Sequence, residues 1–163
     1  MLRSTLIYVE RGEKYLMLHR VSKKNDPNRD KWIGVGGKFE AGETPEDCAQ
    51  REMLEETGLK PLTLDKRGVV YFFSDLYEDE EMHLYTCPAF SGTLHECDEG
   101  VLEWVEKETI SRLPLWEGDK LFFRLLAQNA PPFLMTLRYA GDKLVYASLN
   151  GEQLVPSGKE DQR

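Results

Sequence analysis

Short apolar runs rich in β-branched and aromatic residues punctuate this chain, and most read as strands. Ser4–Glu10 (STLIYVE) is the first, Arg11-Gly12-Glu13 a turn, and Lys14–His19 (KYLMLH) the return strand of a hairpin. Ser22–Lys31 is polar, lacks a period and carries Pro27, which predicts an exposed loop. Further strands are expected at Arg67–Phe73, Met82–Phe90 and Val101–Val105, with Pro88 marking an edge or a bulge. Leu76–Glu81 and Gly92–Gly100 read as connections, and Lys107–Leu113 as one or two helical turns. Glu117–Ala127 has apolar residues at 121, 122, 125 and 126, a helical spacing that Pro131-Pro132 ends. Phe133–Tyr139 and Lys143–Leu149 form a hairpin across Ala140-Gly141-Asp142. Strands and helices mix without βαβ alternation, so the expected class is α+β with a layered mixed sheet.

One amphipathic pattern is anomalous. Thr44-Pro45-Glu46-Asp47 is a strong helix start and Gly58 a fitting stop, which places a helix at about residues 45 to 57. Glu52, Glu55 and Glu56 then stand at i, i+3 and i+4, on one face. Like charges at those spacings weaken a helix, and no clean apolar stripe opposes them. From Gly36 to Leu59 the chain carries Glu40, Glu43, Glu46, Asp47, Glu52, Glu55 and Glu56 against only Lys38 and Arg51. The acids make either a solvated face or a carboxylate cluster of the kind that Mg²⁺ or Mn²⁺ prefers.

The chain has 163 residues, enough for one domain with its own core, and is 40% hydrophobic. A net charge of -8 argues against a protein that coats a nucleic-acid polymer, though bound metal can reverse the local field around a small phosphate substrate. Cys48, Cys87 and Cys97 are widely spaced and form no CxxC pair, so reduced thiols in a cytoplasmic protein are expected. No apolar stretch approaches the roughly 20 residues of a membrane span, and the N-terminus lacks a signal-peptide run. Residues 1–154 are expected to be one domain and Val155–Arg163 a polar, frayed tail.

The surrounding pattern decides between the two readings of the acids. Gly37, five residues, Glu43, seven residues, then Arg51-Glu52-Met53-Leu54-Glu55-Glu56-Thr57-Gly58-Leu59 fills every specified position of GX5EX7REUXEEXGU, where U is bulky and apolar. The sequence thus resembles the Nudix hydrolases over Gly37–Leu59. The resemblance implies an αβα sandwich with a mixed sheet and hydrolysis of a nucleoside diphosphate linked to another group. It makes Glu52, Glu55 and Glu56 metal ligands, with the carbonyl of Gly36 often added, and makes Glu43 and Arg51 a supporting ion pair. Divalent metal, Mg²⁺ or Mn²⁺, would bridge phosphate oxygens, and Glu52 can take the proton of a water.

The likeness extends beyond the box to the MutT-like oxidised-purine nucleoside triphosphatases. It includes Lys31-Trp32-Ile33-Gly34-Val35-Gly36-Gly37-Lys38, Asp98-Glu99-Gly100 before Glu103-Trp104-Val105, and Leu115-Trp116-Glu117-Gly118-Asp119. It implies that Trp116 stacks on a purine, that Asp119 bonds its edge, and that Glu99 adds a metal-binding or basic carboxylate. Read without it, Trp116 is a core aromatic beside Leu113 and Leu115, and Asp119 a helix cap. Two positions depart from the animal-type members: Ile33 replaces an Asn that bonds the base, and Gly118 replaces the first of two adjacent acids. Gly37 and Lys38 are candidate substrate-binding residues, and Arg20 and Lys23, which precede the box, either reach substrate phosphates or are solvated loop residues. His19, His83 and His95 share no ligand spacing, Cys48 reads as small filler, and Trp32 as structural. The expected activity is Mg²⁺-dependent conversion of 8-oxo-dGTP to 8-oxo-dGMP and pyrophosphate by a monomer or homodimer that needs no nucleic-acid polymer and no membrane. The alternatives are hydrolysis of ADP-ribose or a dinucleotide, and a non-catalytic nucleotide sensor.

Overall fold

The computed structural model describes residues 1–21 and 25–156. Lys23 and the tail from 157 onward lie outside them. The strands are β1 (Leu2–Arg11), β2 (Lys14–His19), β3 (Trp32–Ile33), β4 (Leu59–Ser74), β5 (Glu80–Gly92), β6 (Val101–Glu106), β7 (Phe133–Ala140), β8 (Lys143–Leu149) and β9 (Glu152–Val155). The helices are α1 (Pro45–Thr57) and α2 (Asp119–Ala127), with a 3₁₀ segment at Lys107–Arg112. The strand order is β3-β2-β1-β5-β4-β7-β8-β9, with β6 on the other side of β2. β1 runs parallel to β5 and β4 parallel to β7, while the remaining pairs are antiparallel. The mixed sheet matches the expected α+β class.

β1 is buried on both faces, which places it between two cores. Ile7 and Val9 pack with Ala49 and Met53 of α1, and with Leu16 and Val35. Tyr8, one residue out of phase, packs with Phe122, Phe123 and Leu126 of α2. The period of two along a strand therefore delivers one side to each helix. This is the αβα layering, and β1 is its middle.

The structure extends several elements. β4 starts at Leu59, eight residues earlier than Arg67, and its pairing with β5 shifts register at Pro61/Thr63, Thr63/Asp65 and Lys66/Gly68. Each shift resets the alternation that reveals a strand. Pro88 falls opposite one of these shifts, as its missing N–H requires. β3 is two residues long, too short to carry a period. β9 pairs with β8 across Asn150-Gly151, both at positive φ (50° and 85°), and carries the sheet to Val155.

Candidate active site

The acidic helix is fixed at both ends by its own sequence. Thr44 Oγ1 accepts the N–H of Asp47 at 3.1 Å and the Thr44 N–H donates to Asp47 Oδ2 at 3.2 Å, with Pro45 at the first helical position. Gly58 ends the helix at φ 78°. Between the caps, Cys48, Ala49 and Met53 face the core and Glu56 lies along the same buried side. Glu56 is only 8% exposed, although carboxylates are rarely buried without partners.

The segment before the box runs along β1 like an extra strand. Thr5 N–H donates to Gly37 O at 2.9 Å, and Ile7 and Val35 exchange bonds at 2.6 and 3.0 Å. The backbone approach is closest at Gly36, whose φ is 147°, and a Cβ there would lie 2.0 Å from Thr5 O. The Gly36 N–H turns from β1 and donates to Glu56 Oε1 at 2.9 Å. A Cβ on Gly37 would lie 2.5 to 2.7 Å from the three carboxyl atoms of Glu52. The paired glycines thus let two carboxylates of α1 reach the backbone beside β1.

Arg51 organises the other acids. Its Nε donates to Glu43 Oε2 at 2.7 Å and its Nη2 to Glu43 Oε1 at 2.9 Å, a bidentate fork. Nη1 reaches Glu52 Oε1 at 2.7 Å and Glu55 Oε2 at 3.3 Å, and Nη2 also holds the Lys38 carbonyl at 3.0 Å. Hydrogen bonds from Arg51 and the Glu40 N–H hold the Glu43 carboxyl down at about 2. Glu52 moves the other way: burial raises it, partly offset by Arg51. Glu56 is pushed up to about 8, first by burial, against the Gly36 hydrogen bond, with Glu99 and Glu52 adding repulsion.

Ligand atoms of Glu56, Cys97 and Glu99 lie within 4.8 Å of one another, although Glu99 stands in a loop remote from α1 in sequence. Glu55 stands apart from them, 59% exposed at its side chain. Closely spaced carboxylates that repel one another in a desolvated place fit a hard divalent cation, which would relieve the repulsion. Glu56 and Glu99 would hold it, with Glu52, whose charge acts on both, beside them.

Two of these carboxylates, Glu52 and Glu99, border a cavity of about 800 Å³. Gly36, Gly37, Lys38, Glu52, Glu99 and Arg20 line it, and so do Ile33, Phe72, Trp116 and Asp119. Trp116 is 6% exposed, edge-on to Phe72 (5.4 Å) and Tyr139 (4.9 Å), with the Lys31 ammonium 4.6 Å from its ring centre. It is a core aromatic that also forms cavity wall. Asp119 does not cap α2: it is the first helical residue, and Gly118 is the cap position, without a side-chain bond. Its carboxyl is 6% exposed and burial pushes it up to about 8, with only Lys31 acting in opposition. At neutral pH it is mostly the acid, able both to donate and to accept.

The departure at Gly118 has a packing cause. Its N–H donates to the Tyr139 hydroxyl at 2.7 Å, and a Cβ would meet Leu137 Cδ1 at 2.5 Å. Arg20 is no solvated loop residue: its side chain is 15% exposed and ion-paired to Asp26 at 2.6 Å and Glu99 at 3.3 Å. Trp32 stays out of the cavity wall and stacks on His19 at 4.4 Å. Sequence reasoning missed Asp26, Asn28, Lys31 and Cys97 as neighbours of the site. The first three sit in an aperiodic loop and the last in a connection, where no period points to a face.

A NUDIX domain family model matches residues 2–126. This chain belongs to the Nudix family. Among its relatives, the Nudix chain is 36% identical over 126 residues to the oxidized purine nucleoside triphosphate hydrolase of Mus musculus, covering 77% of this chain and 79% of that protein. With the Danio rerio protein of the same name it shares 35% over 124 residues, 76% of this chain and 79% of the relative. The crystal structure of the MutT protein from Bacillus halodurans superposes with a TM-score of 0.82 at 26% identity, covering 93% of this chain and 99% of that one. The protein is a Nudix hydrolase acting on phosphoric anhydride bonds, in a family that uses divalent metal ions and small nucleotide substrates.

Proposed function

We propose that the protein is a Mg²⁺-dependent nucleoside triphosphate pyrophosphohydrolase that converts 8-oxo-dGTP to 8-oxo-dGMP and pyrophosphate, clearing an oxidised nucleotide from the pool. The observation that carries this reading is that one cavity joins Glu52 of the Nudix helix and Glu99 to a buried aromatic wall with a single neutral acid. Its volume suits a nucleotide. The relatives named above are hydrolases of oxidised purine nucleoside triphosphates.

The base lies against Trp116, where an aromatic contact is worth about 1–3 kcal/mol. Asp119, mostly protonated, donates to one acceptor on the base edge and accepts from one donor. The backbone of Gly36 and Gly37 and the side chains of Lys38 and Arg20 flank the phosphates. Divalent metal held by Glu56 and Glu99 beside Glu52, with the Gly36 carbonyl as a further donor, would supply Lewis acidity and charge neutralisation when bound. Glu52, held at Oε1 by Arg51 beside Gly37, takes the proton of the water that attacks phosphorus. Arg51 and Glu43 fix that carboxylate without touching substrate. Product analysis with Mg²⁺ and a panel of dGTP, 8-oxo-dGTP, 2-oxo-dATP and ADP-ribose tests the reading. Release of pyrophosphate and 8-oxo-dGMP with the highest kcat/KM is expected. Turnover of ADP-ribose alone, or of no triphosphate, would overturn it.

A further inference from the structure

One polar group in the cavity wall has no part in the mechanism above. Asn28 lines the cavity beside Trp116, and its Oδ1 accepts the indole Nε1–H at 2.7 Å. An indole N–H can only donate, so this bond settles the orientation of the amide: oxygen toward Trp116, NH₂ away from it. Among the described residues no acceptor is bonded to that NH₂.

Asn28 is also held firmly for a loop residue. Its backbone N–H donates to Asp26 Oδ1 at 3.0 Å. The other oxygen of Asp26, whose side chain is 3% exposed, takes Arg20 Nε at 2.6 Å. The Asn28 carbonyl accepts from Lys31 at 2.8 Å, and Arg20 and Lys31 are tied by a backbone bond of 3.0 Å. A short loop therefore presents two spare N–H donors, preorganised, beside the aromatic wall. Ile33, which lines the same cavity, has no side-chain donor to offer.

We propose that Asn28 is a specificity-determining residue whose NH₂ donates to a carbonyl oxygen on the edge of the base lying against Trp116, so that the site prefers an oxo-purine to an amino-purine. An exocyclic amino group at that place would set donor against donor and leave both unpaired in a desolvated site, and built hydrogen-bonding sites discriminate most strongly in this way. The inference rests on the nucleotide reading above.

Asn28→Asp separates the two duties of the amide. A carboxylate still accepts the indole N–H but has nothing to donate. The kcat/KM ratio of dGTP or 8-oxo-dGTP over dATP is expected to fall roughly 10-fold in N28D, with the melting temperature kept. Equilibrium binding of dGMP, 8-oxo-dGMP and dAMP in EDTA, followed by tryptophan fluorescence, should lose the same preference, which a merely structural role would not produce. Asn28→Ala removes the donor as well and gives the same comparison should N28D fail to fold. An unchanged oxo-to-amino ratio in both variants overturns the role of Asn28 and leaves the hydrolase reading standing. Wild-type protein that neither hydrolyses nor binds any purine nucleotide sinks both.

Discussion

Asp119→Asn should make the protein more stable, and increasingly so as pH rises. The Asp119 carboxyl is buried and sits at about 8 instead of its ordinary 3.8, with desolvation as the main cause. A group raised on folding contributes stability that is complete below its unfolded pKa and is lost as pH climbs through the folded value. The window is therefore about pH 4 to 8, and within it the loss approaches about 1.4 kcal/mol per pH unit. Between pH 5 and pH 7 wild type should lose about 2–3 kcal/mol relative to D119N, which keeps the shape and cannot ionise. The carboxyl opens on a cavity that admits water, so this figure is a ceiling. For a domain of this length it corresponds to roughly 5–10 °C in melting temperature. The assay is a pair of urea or thermal melts at the two pH values in EDTA, for both proteins. Shifts elsewhere, such as that of Glu56, occur in both and cancel in the difference. A stability gap that is the same at pH 5 and pH 7 refutes the idea that folding holds this carboxyl neutral.

Four further outcomes follow from the geometry. Gly37→Ala should fold yet lose activity, because the three atoms nearest its Cβ, at 2.5 to 2.7 Å, are the carboxyl end of Glu52, which can rotate away. Gly36→Ala should fail to accumulate folded protein, since its Cβ meets the Thr5 carbonyl at 2.0 Å; expression with circular dichroism and a turnover assay separates the pair. Arg51→Ala should lower kcat about 10–100-fold with a smaller change in KM, the usual cost of losing a group that orients a ligand, and steady-state kinetics reads it. Glu56→Gln should abolish turnover while retaining the fold, and titration calorimetry with Mn²⁺ should show weakened binding.

The three carboxylates of the box were legible in the sequence as one cluster because they lie on one helix. Helical arithmetic puts Glu52, Glu55 and Glu56 on a face, and Thr44, Pro45 and Gly58 announce both ends of that helix, so local rules suffice. Even so, the face is not uniform: Glu56 is buried and Glu55 exposed, a difference set by Gly36 and β1, not by spacing. The half proposed to take the substrate is built from distant segments. Trp116, Phe72, Asn28 and Asp119 meet only after β4, the loop at 26–31 and α2 have packed, and no periodicity encodes that meeting. The early part of β4 escaped for a related reason, since its register shifts hide the alternation. β9 did leave a signal in Asn150-Gly151, a favoured hairpin pair, but its four residues are too polar to stand out.

The family match stops at residue 126, and β7 begins at Phe133. Yet Tyr139 of β7 receives the Gly118 N–H at 2.7 Å and packs edge-on to Trp116 at 4.9 Å, and the turn after β7 bonds Asp75 through Gly141 at 2.9 Å. A boundary drawn from shared sequence therefore separates Trp116 from one of the side chains it packs against. A clone trimmed to the matched segment would carry every carboxylate of the box and lack the Tyr139 brace behind Trp116. In a gene fusion or a search for minimal active fragments, a piece that keeps β7 and its following turn is expected to retain more activity than one ending at residue 126, which a turnover assay on the two reads.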